Sequence, residues 1–90
     1  MQAQIRSEMQ RVTELLIKKN NSYGNSATEP ANIFSKGDAV ESICARIDDK
    51  IMRIANKGIN KNTFDTIDDL IGYLVLLRIA WYDKKIKEDK

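Results

Sequence analysis

FDTIDDLIGYLVLL, residues 64–77, decides the fold of this chain. Turned at about 100° per residue, the helix it opens is apolar nearly all round between Leu70 and Trp81. Ile67, Ile71, Leu74 and Arg78 share one face, while Leu76 and Ile79 lie on the other side. Such a helix is buried on several sides. Thr63 or Asp65 caps its start, and Asp68 and Asp69 lie in the first turns, where the macrodipole favours acids. Its basic end, Lys84, Lys85 and Lys87, suits the negative pole, and the helix runs to about Lys87.

Upstream, RIDDKIMRIANK, residues 46–57, belongs to a second helix. Ser35 or Asp38 starts it, and Glu41, three residues after Asp38, completes a pair like a capping box. Val40, Ile43, Ile47, Ile51 and Ile54 form its buried stripe, with Cys44 on the edge as a buried structural thiol. Gly58 follows Lys57 as a C-cap glycine. A first helix is expected from about Gln4 to Lys19, with Ile5, Met9, Val12, Leu15 and Leu16 on one face, ending at Asn20-Asn21. Residues 20–36 read as a long polar loop pinned to the core by Ile33 and Phe34, with Pro30 pushing Glu29 out of helical conformation. A loop of that length in a small domain is more often functional than idle.

No stretch has the pattern of a strand, and no repeat interrupts the reading. The expectation is all-α: residues 1–90 as a single domain, a three-helix antiparallel bundle with a long loop between helices one and two. Three helices leave part of helix three uncovered, and an exposed apolar strip usually marks an interface. A homo-oligomer with helix three near its axis follows. Arg78, inside that apolar face, needs an acid partner, because an unpaired buried charge is costly.

Composition removes several function classes. The chain has one cysteine and no histidine, so a disulfide framework and a Cys/His zinc site have no ligands, and histidine triads are out. A metal would be a hard ion on carboxylates. A net charge of +2 makes no case for a dedicated DNA or RNA binder. The longest apolar stretch, Leu70 to Tyr82, is too short to span a bilayer and contains Arg78, and the N-terminal residues are polar. A cytoplasmic protein is expected.

Three constellations carry chemistry. On helix two, Arg46, Asp49, Lys50 and Arg53 fall on one stripe. They read either as a solvated face with i,i+4 pairs worth ~0.3 kcal/mol each, or as a phosphate clamp with Arg46 and Arg53 as forks oriented by Asp49 or Asp69. On helix three, Asp65, Asp68, Asp69 and Gly72 line a second stripe. Carboxylates one turn apart either compensate the helix dipole or share a divalent ion, with Mg²⁺ the usual partner beside a phosphate; Asp65 and Asp69 are the candidate ligands. Gly72 inside a helix costs about 1 kcal/mol relative to alanine, which points to close packing or to a ligand. In the loop, Tyr23 beside Gly24 either stacks on a base or folds back on the core. Tyr73 and Trp81 read as packing residues.

The order KKNNSYGN, a proline with IF, RIDDKIMRI and DTIDDLIGYLVLL resembles the nucleotide modification associated family of small helical proteins, found largely in bacteriophages. The resemblance covers roughly residues 15–80 and rests on a Lys-x-x-x-Tyr-Gly loop, an Arg-x-x-Asp-Lys-x-x-Arg helix and an Asp-x-x-x-Asp-Leu-x-x-Tyr helix. It implies an all-helical fold, a phage or prophage origin and a role around nucleotides. The positions it carries over are Lys19, Tyr23, Gly24, Arg46, Asp49, Lys50, Arg53, Asp65, Asp69 and Tyr73. A more distant comparison, the all-helical nucleotide pyrophosphohydrolases, holds Mg²⁺ on a Glu-Glu-x-x-Glu helix. Here Arg-Ile-Asp-Asp-Lys puts basic groups where acids would be needed.

The leading expectation is a nucleotide-binding protein without strong catalytic machinery, serving base modification or sequestering a host nucleotide signal, with no obligatory cofactor. One alternative is a Mg²⁺-dependent nucleotide hydrolase or transferase using Asp49, Asp65, Asp68 and Asp69. Another is a helical interaction module that inhibits a host protein.

Overall fold

A computed structural model describes residues 1–23 and 38–88, with side chains placed for 1–21 and 38–86. Among the described residues there are three helices and no strand: α1 (Gln2–Tyr23), α2 (Ala39–Lys57) and α3 (Phe64–Glu88). The all-α expectation holds. No helix among them is long and apolar enough to cross a membrane. The expected anchors Ile33 and Phe34 lie outside the described residues.

Local chemistry sets both ends of α2. The Asp38 side chain accepts the Glu41 backbone N–H at 2.8 Å, and Gly58 closes the helix at φ +77°, donating its N–H to the Ile54 carbonyl. That φ is left-handed, which glycine adopts without a side-chain penalty. Thr63, fully buried, then fixes the turn into α3. Its hydroxyl accepts the Asn60 N–H at 3.0 Å and lies 2.8 Å from the Gly58 carbonyl that it donates to. Thr63 therefore precedes α3 as expected, but its hydroxyl ties the turn together and does not cap the helix. The result is an antiparallel hairpin: Lys84 near the end of α3 meets Asp38 at the start of α2, and Lys50 meets Asp69 at the other end.

α1 runs one turn further than the asparagines suggest, to Tyr23. Each asparagine costs a helix only about half a kcal/mol, so the pair does not end it. Tyr23 is thereby the last residue of a helix and not a loop residue.

Among the described helices, α1 lies against α3 and not α2. No Cα of α1 comes within 8 Å of a Cα in α2. Val12 is buried and Leu15 and Leu16 are half-buried, whereas every residue from Met1 to Arg11 is exposed. Gly72 is the contact that permits this approach: a Cβ there would stand 3.3 Å from the Leu16 Cδ1. Close packing, one of the two readings of that glycine, accounts for it.

Because α2 has one packed neighbour, its buried stripe is narrower than its apolar pattern. Ile43 is buried and Val40, Ile47 and Ile54 are half-buried, but Ile51 is half exposed and Cys44 is exposed. The last two lie about 90° round the helix from Ile43, on the side that a third helix would have covered. Both expectations of burial are corrected. Arg78 is also exposed and makes no ion pair among the described residues, so the expected acid partner is not there.

Candidate functional site

Since α1 and α2 flank α3 without meeting, a cavity of about 550 Å³ opens between them. Its floor is apolar: Val12 and Leu16 from α1, Ile43 from α2, Leu76 from α3. Its rim is polar, with Lys19 and Asn20 from the end of α1, Ser42 and Arg46 from α2, and Asp68, Asp69 and Tyr73 from α3. The size falls within the ~300–1,000 Å³ of ordinary small-molecule sites, and an apolar floor with a few convergent polar groups is their usual lining.

Ion pairs hold the three helices around this cavity. Asp69 accepts two ammonium groups, Lys19 of α1 at 2.7 Å on Oδ1 and Lys50 of α2 at 3.3 Å on Oδ2. Asp68 takes both arms of the Arg11 guanidinium at 2.9 Å each, and Arg11 also reaches Glu8 at 2.8 Å. Forked pairs of this kind fix direction as well as charge. Asp69 thus ties all three helices together, and Asp68 ties α1 to α3.

These pairs set the titration of the acids. The hydrogen bond from Arg11 holds the Asp68 carboxyl below the ordinary carboxylate range, against some desolvation. Burial pushes Asp69 up, but the hydrogen bonds and charges of Lys19 and Lys50 outweigh it and leave it low. Asp38 is low through the Glu41 N–H and then through Lys84. Asp68 raises Arg11 further above its usual value, with Glu8 second.

A carboxylate with a lower pKa folded than unfolded stabilises the fold above its unfolded value and loses that contribution as pH falls through the folded one. The chain has no histidine. Stability is therefore expected to stay level between about pH 5 and pH 8 and to drop below about pH 4. Thermal melts from neutral pH downward check this, and a transition centred near pH 6 would contradict it.

Arg46 differs from its neighbours. It is exposed at the cavity rim and makes no ion pair among the described residues. The residues expected to form a site therefore divide. Lys19, Arg46, Asp69 and Tyr73 come together around the cavity, and Lys50 does not line it but reaches Asp69. Asp49 and Arg53 are exposed on α2 and do not line it. The Tyr23 side chain and Gly24 lie outside the described residues.

Asp65, Asp68 and Asp69 share a smaller hollow with Lys19 at the start of α3. Among the described residues, no group of three acids or cysteines stands close enough to hold a metal ion. A cation at Asp69 would have to displace two ammonium groups.

Sequence reasoning passed over three contributors. Ser42 lies one turn before Arg46 and was legible by spacing. Asn20 looked like a helix terminator. The pairing of Arg11 with Asp68, 57 residues apart, had no signal in either helix.

No family model, no curated protein and no solved structure matches the chain. The likeness to the nucleotide modification associated family rests on the three motifs alone.

Proposed function

We propose that this chain binds a small phosphorylated ligand of the nucleotide class in the cavity between α1, α2 and α3. The observation that carries the reading is the exposed guanidinium of Arg46, without an ion pair among the described residues, at the rim of a cavity with an apolar floor. Lys19 and Lys50 both reach the Asp69 carboxylate, and Arg11 takes both oxygens of Asp68. A phosphate offers acceptor oxygens to the Arg46 guanidinium. The Tyr73 ring and the leucines offer the base or sugar an apolar wall.

The motif resemblance supports the same ligand class. A binder of this kind acts either as an accessory to base modification or by sequestering a nucleotide signal. Asp68 and Asp69 are taken up in ion pairs, so the binding reading is favoured over Mg²⁺-dependent hydrolysis.

Native mass spectrometry of the full chain with mono-, tri- and cyclic nucleotides tests the reading. A nucleotide-sized mass adduct that inorganic phosphate competes away is the expected result. A chain that ignores the whole panel would overturn it.

A further inference from the structure

The surface of α3 turned away from the cavity has no covering element among the described residues. Phe64, Ile67, Ile71, Leu74, Arg78 and Trp81 follow one another at alternating steps of three and four, the a and d positions of a heptad seam. Phe64, Leu74 and Trp81 are 59%, 47% and 53% exposed, and Val75 and Tyr82 flank them, also exposed. On the opposite side, Thr66 and Ala80 are buried and Lys84 reaches α2.

We propose that this seam pairs with the same seam of a second copy, the two α3 helices running antiparallel about a two-fold axis near Gly72 and Tyr73. Four observations select a second copy. Among the described residues the buried apolar ones are Val12, Ile43 and Ala80, a small core, and chains of this size often gain stability by association. A copy of itself is the partner such a chain always has.

The area also fits. With aromatic side chains worth about 150–250 Å² each when fully covered, a strip about half exposed offers on the order of 500 Å² per copy, enough for a weak interface that parts on dilution.

The spacing is self-complementary. The two-fold axis sets Ile71 against Leu74, Phe64 against Trp81, and the stem of Arg78 against Ile67 of the second copy. A single polar residue at an a position fixes register at some cost in stability.

The helix dipoles agree as well. Antiparallel pairing sets the positive start of each α3 beside the negative end of the other. The seam lies on the far side of α3 from the cavity, so this inference and the ligand reading stand or fall separately.

Sedimentation of the full chain is expected to give twice the chain mass. Trp81, the single tryptophan, is expected to emit as a buried ring at high concentration and to shift red on dilution as the dimer parts. Leu74→Lys should abolish the dimer. Arg78→Leu, which removes the one polar layer, should tighten it about tenfold and remains informative if the lysine variant unfolds. A wild-type monomer with a red-emitting tryptophan would overturn the inference, leaving the seam for a different protein. So would a dimer indifferent to both substitutions.

Discussion

Replacing Arg46 with alanine is expected to weaken nucleotide binding about 10- to 100-fold, because hydrogen bonds from a charged donor contribute about 1.5–3 kcal/mol each. The folded state should hardly notice. Arg46 is exposed and has no ion pair to lose, and surface substitutions of that kind stay within about 0.5 kcal/mol. Arg53→Ala is the internal comparison. Arg53 is one of the two arginines of the sequence motif, but it lies outside the cavity, so its removal should leave affinity within about twofold, the scale of a small surface effect. Isothermal titration with the nucleotide that binds wild type checks both. Equal losses for the two variants would mean that α2 attracts phosphate as a charged surface and not through the cavity.

The second large effect belongs to Asp69→Asn, and its two readouts move in opposite directions. The substitution keeps the size of the side chain and removes the charge that Lys19 and Lys50 share. Breaking one partner of a buried pair costs about 3–5 kcal/mol. Here the lysines are exposed in part, and solvent screening reduces the expected loss to about 1–2 kcal/mol. In a domain of this size that lowers Tm by roughly 4–15 °C. Phosphate affinity should rise several-fold, since two ammonium groups lose their competing acceptor. If Asp69 instead held a catalytic Mg²⁺, the same variant would lose turnover and gain no affinity. A melt and a binding isotherm on one variant therefore separate a structural pin from a metal ligand.

The elements that were legible in the sequence are those whose causes are local. Asp38 and Gly58 mark the ends of α2 because a side-chain oxygen and a left-handed glycine act within a few residues. The helical period of residues 64–77 needs no partner to be recognised. What failed depends on a neighbour that is distant in sequence. Cys44 and Ile51 belong to the apolar pattern of α2, yet they are exposed because α1 does not reach that side. Arg78 falls among apolar residues and meets solvent for a similar reason.

The site divides in the same way. Arg46 and Lys50 on one stripe, and Asp69 on another, could be singled out by spacing and charge type. That Lys19 and Lys50 both end on Asp69, and that the cavity stops short of Arg53, depends on how α1 crosses α3. That crossing rests on Gly72 and Leu16, a contact without a sequence signature beyond the glycine itself.

Because no Cα of α1 lies within 8 Å of a Cα in α2, the two helices can separate independently. α2 and α3 form a hairpin with a short connection, whereas α1 is attached through a few leucines, Gly72 and the pins on Asp68 and Asp69. α1 can leave as one cooperative unit at a free energy below that of global unfolding, so its amides should exchange with solvent before those of Ile43 or Ala80. Uniform exchange rates across all three helices would argue against this. When α1 departs, the cavity has lost a wall. A molecule held there binds the assembled state alone, and by mass action it draws α1 onto the hairpin.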